Sequence, residues 1–143
     1  MSLKRVSPEE ARNLLDSDEG YIYLDVRSVP EFEAGHAPGA RNVPILHRSY
    51  MGMRPNRDFV DVCERAFGKD AKIITACLKG GRSMQAARVL IANGFSSVVD
   101  MRGGFGGETD MTGAVVYPGW STCGLPVTTE ASDEETYEGL SRG

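Results

Sequence analysis

A chain of 143 residues is long enough for one domain with a sizeable core and too short for two ordinary domains. Its 41% of hydrophobic and 25% of charged residues are typical of globular proteins and exclude the collagen-like and disordered classes. The formal charge of -4 lies entirely in the segment from Thr128 onward, so the remaining chain is neutral and has no basic stripe to attract nucleic acid or an anionic membrane.

Hydrophobic patterns and cysteine spacing exclude further classes of protein. No stretch approaches the roughly 20 consecutive apolar residues of a membrane span, and residues 1–15 lack the apolar core of a secretory signal. We therefore expect a cytoplasmic protein. Cys63, Cys77 and Cys123 form no Cys-x-x-Cys pair, so neither a disulfide framework nor a zinc site is predicted, and at least one thiol should be free.

The chain alternates patterns that are typical of helices and strands. Ser7 and Glu10 have the spacing of a capping box, with Pro8 at the first helical position. Apolar runs bounded by glycine predict buried strands, and apolar side chains at helical spacing predict the helices between them. In chain order, the predicted elements are a helix over 8–15, a strand over 21–26, one helical turn over 31–34, a strand over 41–43, irregular chain over 45–56, a helix over 57–67, a strand over 72–76, a helix over 84–93 and a strand over 97–101. Strands that alternate with helices imply an α/β fold with a parallel sheet covered on both faces.

The last third of the chain gives weaker signals. The glycines of 103–107 predict a flexible turn region, and 108–116 shows no clear period. Pro118 begins a last ordered piece. Beyond it the chain is acidic, polar and short of large apolar side chains, so we expect one domain over residues 1–127 and a disordered tail over 128–143.

Residues 77–83, Cys-Leu-Lys-Gly-Gly-Arg-Ser, join the end of a predicted strand to the start of a predicted helix, where open α/β sheets place their ligands. Two glycines allow this loop to curl and to aim its amides at the sulfur of Cys77. Those amides, the helix N-terminus and two cations would stabilise a thiolate, a persulfide or an incoming anion. We predict Cys77 as the catalytic nucleophile, with a substrate-binding or anion-binding loop formed by Leu78, Lys79, Gly80, Gly81, Arg82 and Ser83.

Other chemically reactive side chains have a structural interpretation. Cys63 lies on the apolar side of a predicted helix and is expected to be a buried hydrophobe. Asp25 and Arg27, at a strand end, are supporting residues expected to tie loops together through charge-assisted hydrogen bonds. His36 lies in a turn and is not assigned as a base, and Trp120 is expected to anchor the core.

Three segments together resemble the rhodanese family in their order and spacing. They are 25–27 (Asp-Val-Arg), 31–40 (Glu-Phe-Glu-Ala-Gly-His-Ala-Pro-Gly-Ala) and the loop 77–83. The loop alone would be a moderate signal, but the upstream Gly-His-x-Pro-Gly-Ala motif at its family spacing makes chance similarity improbable. The resemblance extends from about Val6 to Val127.

The resemblance implies a five-stranded, mainly parallel sheet with helices on both faces, and an enzyme of the sulfurtransferase class. In this family sulfane sulfur passes from a donor such as thiosulfate to a thiophilic acceptor such as cyanide or a thiol, through a persulfide that would here form on Cys77. No metal or organic cofactor is implied. The expected partners are a small sulfur donor and an acceptor, rather than nucleic acid or a membrane.

Two alternative functions remain open. One is a binding or sulfur-relay module loaded by a partner protein, because two-domain thiosulfate enzymes of the family have a substrate-binding arginine where this chain has Glu31. The other is a cysteine phosphatase or arsenate reductase on the same fold, although the phosphatase signature has five residues between cysteine and arginine and only four separate Cys77 from Arg82. The segments 47–56 and 108–117 look longer than in the smallest family members, and we expect them to shape the pocket.

Overall fold

Five parallel strands form the central sheet in the computed structural model, which describes residues 3–142. In chain order, the elements are β1 (Arg5–Val6), α1 (Pro8–Asp16), β2 (Ile22–Asp25), α2 (Val29–Ala34), β3 (Arg41–Asn42), β4 (Leu46–Ser49), β5 (Gly52–Pro55), α3 (Phe59–Phe67), β6 (Lys72–Ala76), α4 (Gly81–Ala92), β7 (Ser97–Met101), β8 (Glu108–Thr109), β9 (Val115–Tyr117) and α5 (Tyr137–Arg142). The strand order is β1-β7-β6-β2-β3, and each neighbouring pair is parallel. The predicted α/β class with a five-stranded parallel sheet is therefore confirmed.

Local sequence explains where the main helices begin. The Ser7 hydroxyl accepts a hydrogen bond from the Glu10 amide at 3.1 Å, and the Glu10 carboxylate accepts one from the Ser7 amide at 2.9 Å, so the capping box of α1 is complete. α4 begins at Gly81, three residues earlier than predicted, because the backbone of Gly80 turns at a φ of 118° directly into the helix. No helix within residues 3–142 combines the length and the apolar character needed to cross a membrane.

Two buried clusters cover the two faces of the sheet. One lies against α3, α4 and α5, and the other against α1 and α2. β6 contributes to both because successive side chains of a strand point to opposite faces, with Ile73 in the first cluster and Ile74 in the second. A central strand buried on both faces reads as a continuous apolar run, which is why its bounds agree with the prediction over 72–76.

Two antiparallel hairpins occupy segments where the sequence shows no regular pattern. β4 pairs with β5, and β8 pairs with β9. Most of their side chains are exposed or half-buried, so the alternation of apolar and polar residues that marks a half-buried strand is missing. The expectation of irregular chain over 45–56 was therefore wrong.

The acidic segment 128–142 packs against the domain, whereas its composition predicts disorder. The backbones of His36 and Thr128 exchange two hydrogen bonds, of 2.9 and 2.8 Å. Further along, the carbonyl oxygen of Glu135 accepts a hydrogen bond from the Asn42 amide at 2.8 Å. These contacts hold the segment along the sheet edge formed by β3.

α5 completes the packing of this segment. Leu140 is buried in the cluster that α3 and α4 share, and the Tyr137 hydroxyl lies 3.3 Å from the side-chain nitrogen of Asn56. The average composition of the segment is polar, but Tyr137 and Leu140 are large side chains that pack against the domain. Burial of such side chains stabilises the ordered state. The predicted disorder is therefore wrong for residues 128–142, and Gly143 lies outside the described residues.

Candidate functional site

The predicted active loop, residues 77–83, wraps around the sulfur of Cys77. β6 ends at Ala76, so Cys77 is the first residue beyond the carboxyl end of a central strand. The amide of Gly80 donates a hydrogen bond to Sγ at 3.0 Å. Cys77 is only 2% exposed, and its sulfur therefore lies in a nearly closed cradle. A backbone donor at this distance suits a sulfur that carries negative charge.

Gly80 gives the loop its curvature. Its φ of 118° is one that L side chains rarely adopt, and an added Cβ would stand 2.9 Å from Nη2 of Arg5. Gly81, in contrast, has open space around it. Gly81 is the first residue of α4 and the fourth residue after Cys77, so the positive end of the helix dipole lies close to the sulfur.

Arg82 and Glu31 form a two-pronged ion pair between the active loop and α2. Nη1 and Nη2 of Arg82 donate to Oε1 and Oε2 of Glu31 at 2.7 and 3.0 Å. The hydrogen bonds to Glu31 raise the pKa of Arg82, so the guanidinium remains protonated. The sequence predicts that Arg82 contacts an anionic substrate, whereas in the structure a carboxylate of the protein already holds it.

The same contacts keep Glu31 ionised. Partial burial acts to raise its pKa, but hydrogen bonds from Arg82 and Ser28 lower it to about 2. Ser28 donates through its amide at 3.2 Å and through its hydroxyl at 2.8 Å. The sequence identifies Glu31 only as a position without the family's arginine. Its pairing with a residue 51 positions away depends on the fold.

The remaining loop residues point in different directions. Lys79 is exposed, and its Nζ donates to Oγ1 of Thr109 in β8 at 3.0 Å. Leu78 is half-buried. Ser83 is buried, and its hydroxyl donates to the carbonyl oxygen of Gly80 at 3.3 Å. Ser83 therefore shapes the loop from beneath.

Asp25 and Arg27 form a buried fork beside the loop. Nε and Nη2 of Arg27 donate to Oδ1 and Oδ2 of Asp25 at 3.0 and 2.7 Å, and Nη2 also donates to the Gly35 carbonyl oxygen at 2.7 Å. The guanidinium carbon lies 4.3 Å from the centre of the Phe105 ring. The pair thereby ties the end of β2 to two separate loops, which fits a supporting role.

The glycine-rich turn region presses against the back of the active loop. The amides of Phe105 and Gly106 donate to the carbonyl oxygens of Cys77 and Leu78 at 2.6 and 2.9 Å. Gly104 has a φ of 60°, and an added Cβ would overlap the Cys77 carbonyl oxygen and stand 2.7 Å from the Leu78 carbonyl carbon. Because glycine alone allows so close an approach of two backbones, this region fixes Cys77 from behind.

A buried carboxylate beneath the loop was missed by the sequence analysis. Asp100 in β7 accepts hydrogen bonds from Nε of Arg5 and from Oγ1 of Thr75, each at 3.0 Å. Burial raises the pKa of Asp100, although the polar side chains of Ser83, Thr75 and Arg5 act in the opposite direction. The cluster joins β1, β6 and β7 to the start of α4. One acidic residue inside the apolar run 97–101 was the signal for it.

Cys63 and Cys123 are free thiols outside the loop. Cys63 is fully buried in α3, and burial raises its pKa to about 12, in agreement with the expectation of a buried hydrophobe. Cys123 is half-buried. Across residues 3–142, no group of three or more histidine, cysteine, aspartate or glutamate side chains is arranged to hold a metal ion.

Cys63 is expected to resist alkylation in the native protein. At pH 8 a thiol whose pKa is about 12 is ionised to only about one part in ten thousand, and the thiolate is the reactive form. Iodoacetamide treatment followed by peptide mass spectrometry should leave Cys63 unmodified until guanidinium chloride unfolds the chain. Native alkylation at the rate of a small free thiol would contradict this burial.

Known proteins share both the sequence pattern and the fold. A family model described as "Rhodanese-like domain" matches residues 7–107. The chain is 41% identical over 107 residues to thiosulfate sulfurtransferase 16, chloroplastic, of Arabidopsis thaliana. The aligned residues cover 75% of this chain and 79% of that protein. It is 36% identical over 102 residues to thiosulfate sulfurtransferase GlpE of Pseudomonas fluorescens, covering 71% of this chain and 81% of that protein. The crystal structure of Rv0390 from M. tuberculosis has a TM-score of 0.77 at 23% identity, covering 91% of this chain and 100% of that chain, and this likeness shows the fold alone.

Proposed function

Because this chain belongs to the rhodanese-like domain family, we propose that it is a sulfurtransferase in which Cys77 carries the transferred sulfur as a persulfide. The observation that carries the proposal is the cradle at Sγ, where a six-residue loop from Cys77 to Arg82 places the Gly80 amide 3.0 Å from the sulfur at the start of α4. Such a cradle suits one sulfur atom and its negative charge. The names of two relatives, both thiosulfate sulfurtransferases, support the same class of reaction.

In the first half-reaction, the Cys77 thiolate attacks the outer sulfur of the donor. With thiosulfate, a new S–S bond to Cys77 forms while the S–S bond of the donor breaks, and sulfite leaves with the electron pair. The protein then carries a persulfide anion. The Gly80 amide and the N-terminal end of α4 would stabilise its charge.

In the second half-reaction, a thiophilic acceptor attacks the outer sulfur. Cyanide forms a C–S bond as the S–S bond to Cys77 breaks, so that thiocyanate leaves and Cys77 returns as a thiolate. A thiol acceptor leaves as a persulfide through the same exchange. The two steps balance in electrons without an external oxidant, so the scheme calls for no cofactor.

Intact-mass spectrometry tests this scheme directly. After mixing with a sulfur donor, the protein is expected to gain the mass of one sulfur atom, and cyanide should remove it. The double variant Cys63→Ser/Cys123→Ser, which keeps only Cys77, should behave like the unaltered protein. Absence of loading from both thiosulfate and organic persulfides, or loading that peptide mapping places only on Cys123, would overturn the proposal.

Glu31 bears on the choice of donor. Its carboxylate already holds Arg82 at 2.7 Å, and its negative charge opposes the approach of the thiosulfate dianion. Donors with less charge, such as thiol persulfides, are therefore favoured, whether a small molecule or a partner protein presents them. The second candidate function, a sulfur-relay module loaded by a partner protein, is supported by this ion pair.

The variant Glu31→Gln is expected to raise kcat/KM for thiosulfate by about tenfold, because loss of a unit charge near a dianion stabilises its complex by about 1–2 kcal/mol at the effective dielectric of a protein surface. Glutamine can still accept a hydrogen bond from the Ser28 amide, so the cap of α2 is kept. Thiocyanate formation measures the rate.

Two comparisons make this prediction specific to charge. Methanethiosulfonate, a monoanionic donor, should gain only about threefold in the Glu31→Gln protein, since the repulsion scales with the charge of the donor. The variant Glu31→Asp keeps the charge and should gain little with either donor. An equal gain for both donors, or none for thiosulfate, would contradict the electrostatic role.

A cysteine phosphatase or arsenate reductase is the less favoured candidate. Four residues separate Cys77 from Arg82, one fewer than in the phosphatase signature, and Arg82 is held by Glu31. Hydrolysis of an aryl phosphate that depends on Cys77 and exceeds the rate of sulfur transfer would reverse this order. The cytoplasmic location stays a prediction, since one of the relatives is named as chloroplastic.

A further inference from the structure

A basic hairpin, residues 46–57, follows the carboxyl end of β3 and comprises β4, β5 and the two residues after them. β3, β2 and β6 run in parallel, so the basic hairpin leaves the sheet at the same end as the active loop. At its tip Tyr50 is 98% exposed and Met51 is 76% exposed, and Met53 follows at 44%. Large apolar side chains that cluster on a surface mark a contact site.

The basic hairpin is positively charged, whereas the rest of the chain has a net negative charge. It carries three exposed arginines, Arg48, Arg54 and Arg57, and no aspartate or glutamate, whereas the rest of the chain has 13 basic and 20 acidic side chains. Throughout the part of the chain that the structure describes, no carboxylate forms a salt bridge with these three guanidinium groups. Arginine, tyrosine and methionine are enriched at the centres of protein interfaces, where lysine, aspartate and glutamate are depleted.

The base of the basic hairpin is fixed although its tip is exposed. The Asn56 side chain donates to the carbonyl oxygen of Pro44 at 2.8 Å, and the Asn56 amide donates to that of Ile45 at 2.9 Å. The ring of His47 packs on Tyr137 of α5, with 5.4 Å between the ring centres. A binding element that is already ordered loses less conformational entropy when a partner binds.

Contacts connect the basic hairpin to the reactive sulfur. β4 packs against α2, and α2 contributes Glu31, which holds Arg82 of the active loop. A standard protein interface buries about 800 Å² on each partner. Since β4, α2 and the active loop contact one another in turn, a partner that binds the basic hairpin also lies beside the active loop.

We infer that the basic hairpin docks an acidic protein whose thiol exchanges sulfur with Cys77. The inference rests on the proposed sulfurtransferase function and adds the chemistry of its partner, which is a cysteine surrounded by carboxylates. The carboxylates pair with the three arginines, and the contact buries Tyr50 and Met51. Opposite charges of this kind accelerate encounter and set the register of the two proteins.

The exchange itself balances without an oxidant. The thiolate of the partner attacks the outer sulfur of the Cys77 persulfide, and a new S–S bond to the partner forms. The S–S bond to Sγ of Cys77 breaks, and Cys77 leaves as a thiolate with the electron pair. The outer sulfur keeps its negative charge as it moves to the partner, so charge balances as well as electrons.

Three synthetic peptides test the docking. Each has one cysteine and about twelve residues, so that it spans about 40 Å when extended, and the flanking residues are acidic, neutral amide or lysine. The measured quantity is the second-order rate constant with which each peptide thiol removes sulfur from the Cys77 persulfide. It is divided by the rate constant of the same peptide with a small-molecule persulfide. At low salt the acidic peptide is expected to react about tenfold faster than the neutral one, and 0.3 M salt should abolish most of this advantage.

The variant Arg48→Ser/Arg54→Ser/Arg57→Ser removes the charge of the basic hairpin. It should load with sulfur and discharge to cyanide like the unaltered protein, but lose the preference for the acidic peptide. The matched control removes three exposed cations outside the basic hairpin and should keep the preference; it is Arg65→Ser/Lys69→Ser/Arg88→Ser.

Equal rates for the acidic and neutral peptides, or an acidic preference that persists in the hairpin variant, would overturn the docking inference. Light scattering at low salt tests the alternative partner. Dimers of the unaltered protein that the hairpin variant does not form would also overturn the inference, because the basic hairpin would then bind the acidic segment 128–142 of a second copy. Failure of Cys77 to load at all would overturn the proposed function instead, so the two failures are distinguishable.

Discussion

Sulfur transfer is expected to fall to the uncatalysed rate when Cys77 is replaced by serine. A serine hydroxyl is a weak nucleophile unless a base takes its proton, and the Gly80 amide that contacts this position at 3.0 Å is a donor. The Cys77→Ser protein should therefore gain no sulfur in intact-mass spectra. Its rate of thiocyanate formation should equal that of donor and cyanide mixed without protein.

Two controls separate loss of the nucleophile from loss of the fold. Serine is close to cysteine in size, and the Gly80 amide can donate to its oxygen, so the Tm of the Cys77→Ser protein should change by less than about 4 °C. The variant Cys123→Ser should keep full activity. If Cys77→Ser retained a tenth of the activity or more, the persulfide scheme would be wrong.

Gly104→Ala is expected to lower the free energy of unfolding by about 3 kcal/mol and the Tm by about 10 °C. The added Cβ would overlap the Cys77 carbonyl oxygen and stand 2.7 Å from the Leu78 carbonyl carbon, and neither backbone atom can move without moving the loop. The hydrogen bond from the Phe105 amide to Cys77, 2.6 Å long, would be lost or stretched. We therefore also expect slower sulfur transfer at temperatures where the variant remains folded.

Gly113→Ala is the matched control for this prediction. Gly113 has a φ of 88°, so alanine meets a comparable backbone strain there, but nothing lies within 4 Å of the added Cβ. The expected cost is about 1 kcal/mol, with unchanged sulfur transfer. Thermal denaturation of both variants, followed by circular dichroism, gives the difference. Equal destabilisation would show that strain at φ, and not the contact behind Cys77, determines the effect at Gly104.

The sequence was sufficient to predict the bounds of those strands in which burial produces a simple apolar pattern. The strands over 72–76 and 97–101 agree with the structure at both ends, because side chains buried on both faces of a parallel sheet leave a continuous apolar run. The loop that begins at Cys77 was also predictable, since its glycines and the following helix are contiguous with it. The two hairpins left no such pattern, as they pack few side chains.

Contacts between distant residues could not be predicted in the same way. Arg82 lies 51 positions from Glu31, and Arg5 lies 95 positions from Asp100, so only the assembled sheet brings each pair together. Such pairing changes chemistry as well as stability, since a loop arginine expected to bind an anion is already neutralised. The segment 128–142 was misjudged for a related reason, because its average polarity conceals the few side chains that dock it.

The two cores are closed by residues that follow every strand of the central sheet in sequence. Trp120 packs edge-on against Tyr23 with 5.4 Å between the ring centres, and Leu140 is buried on the opposite face of the sheet. During translation every strand of the sheet is therefore made before the side chains that seal it. We expect the nascent domain to remain sensitive to proteases and dependent on chaperones until α5 has left the ribosome.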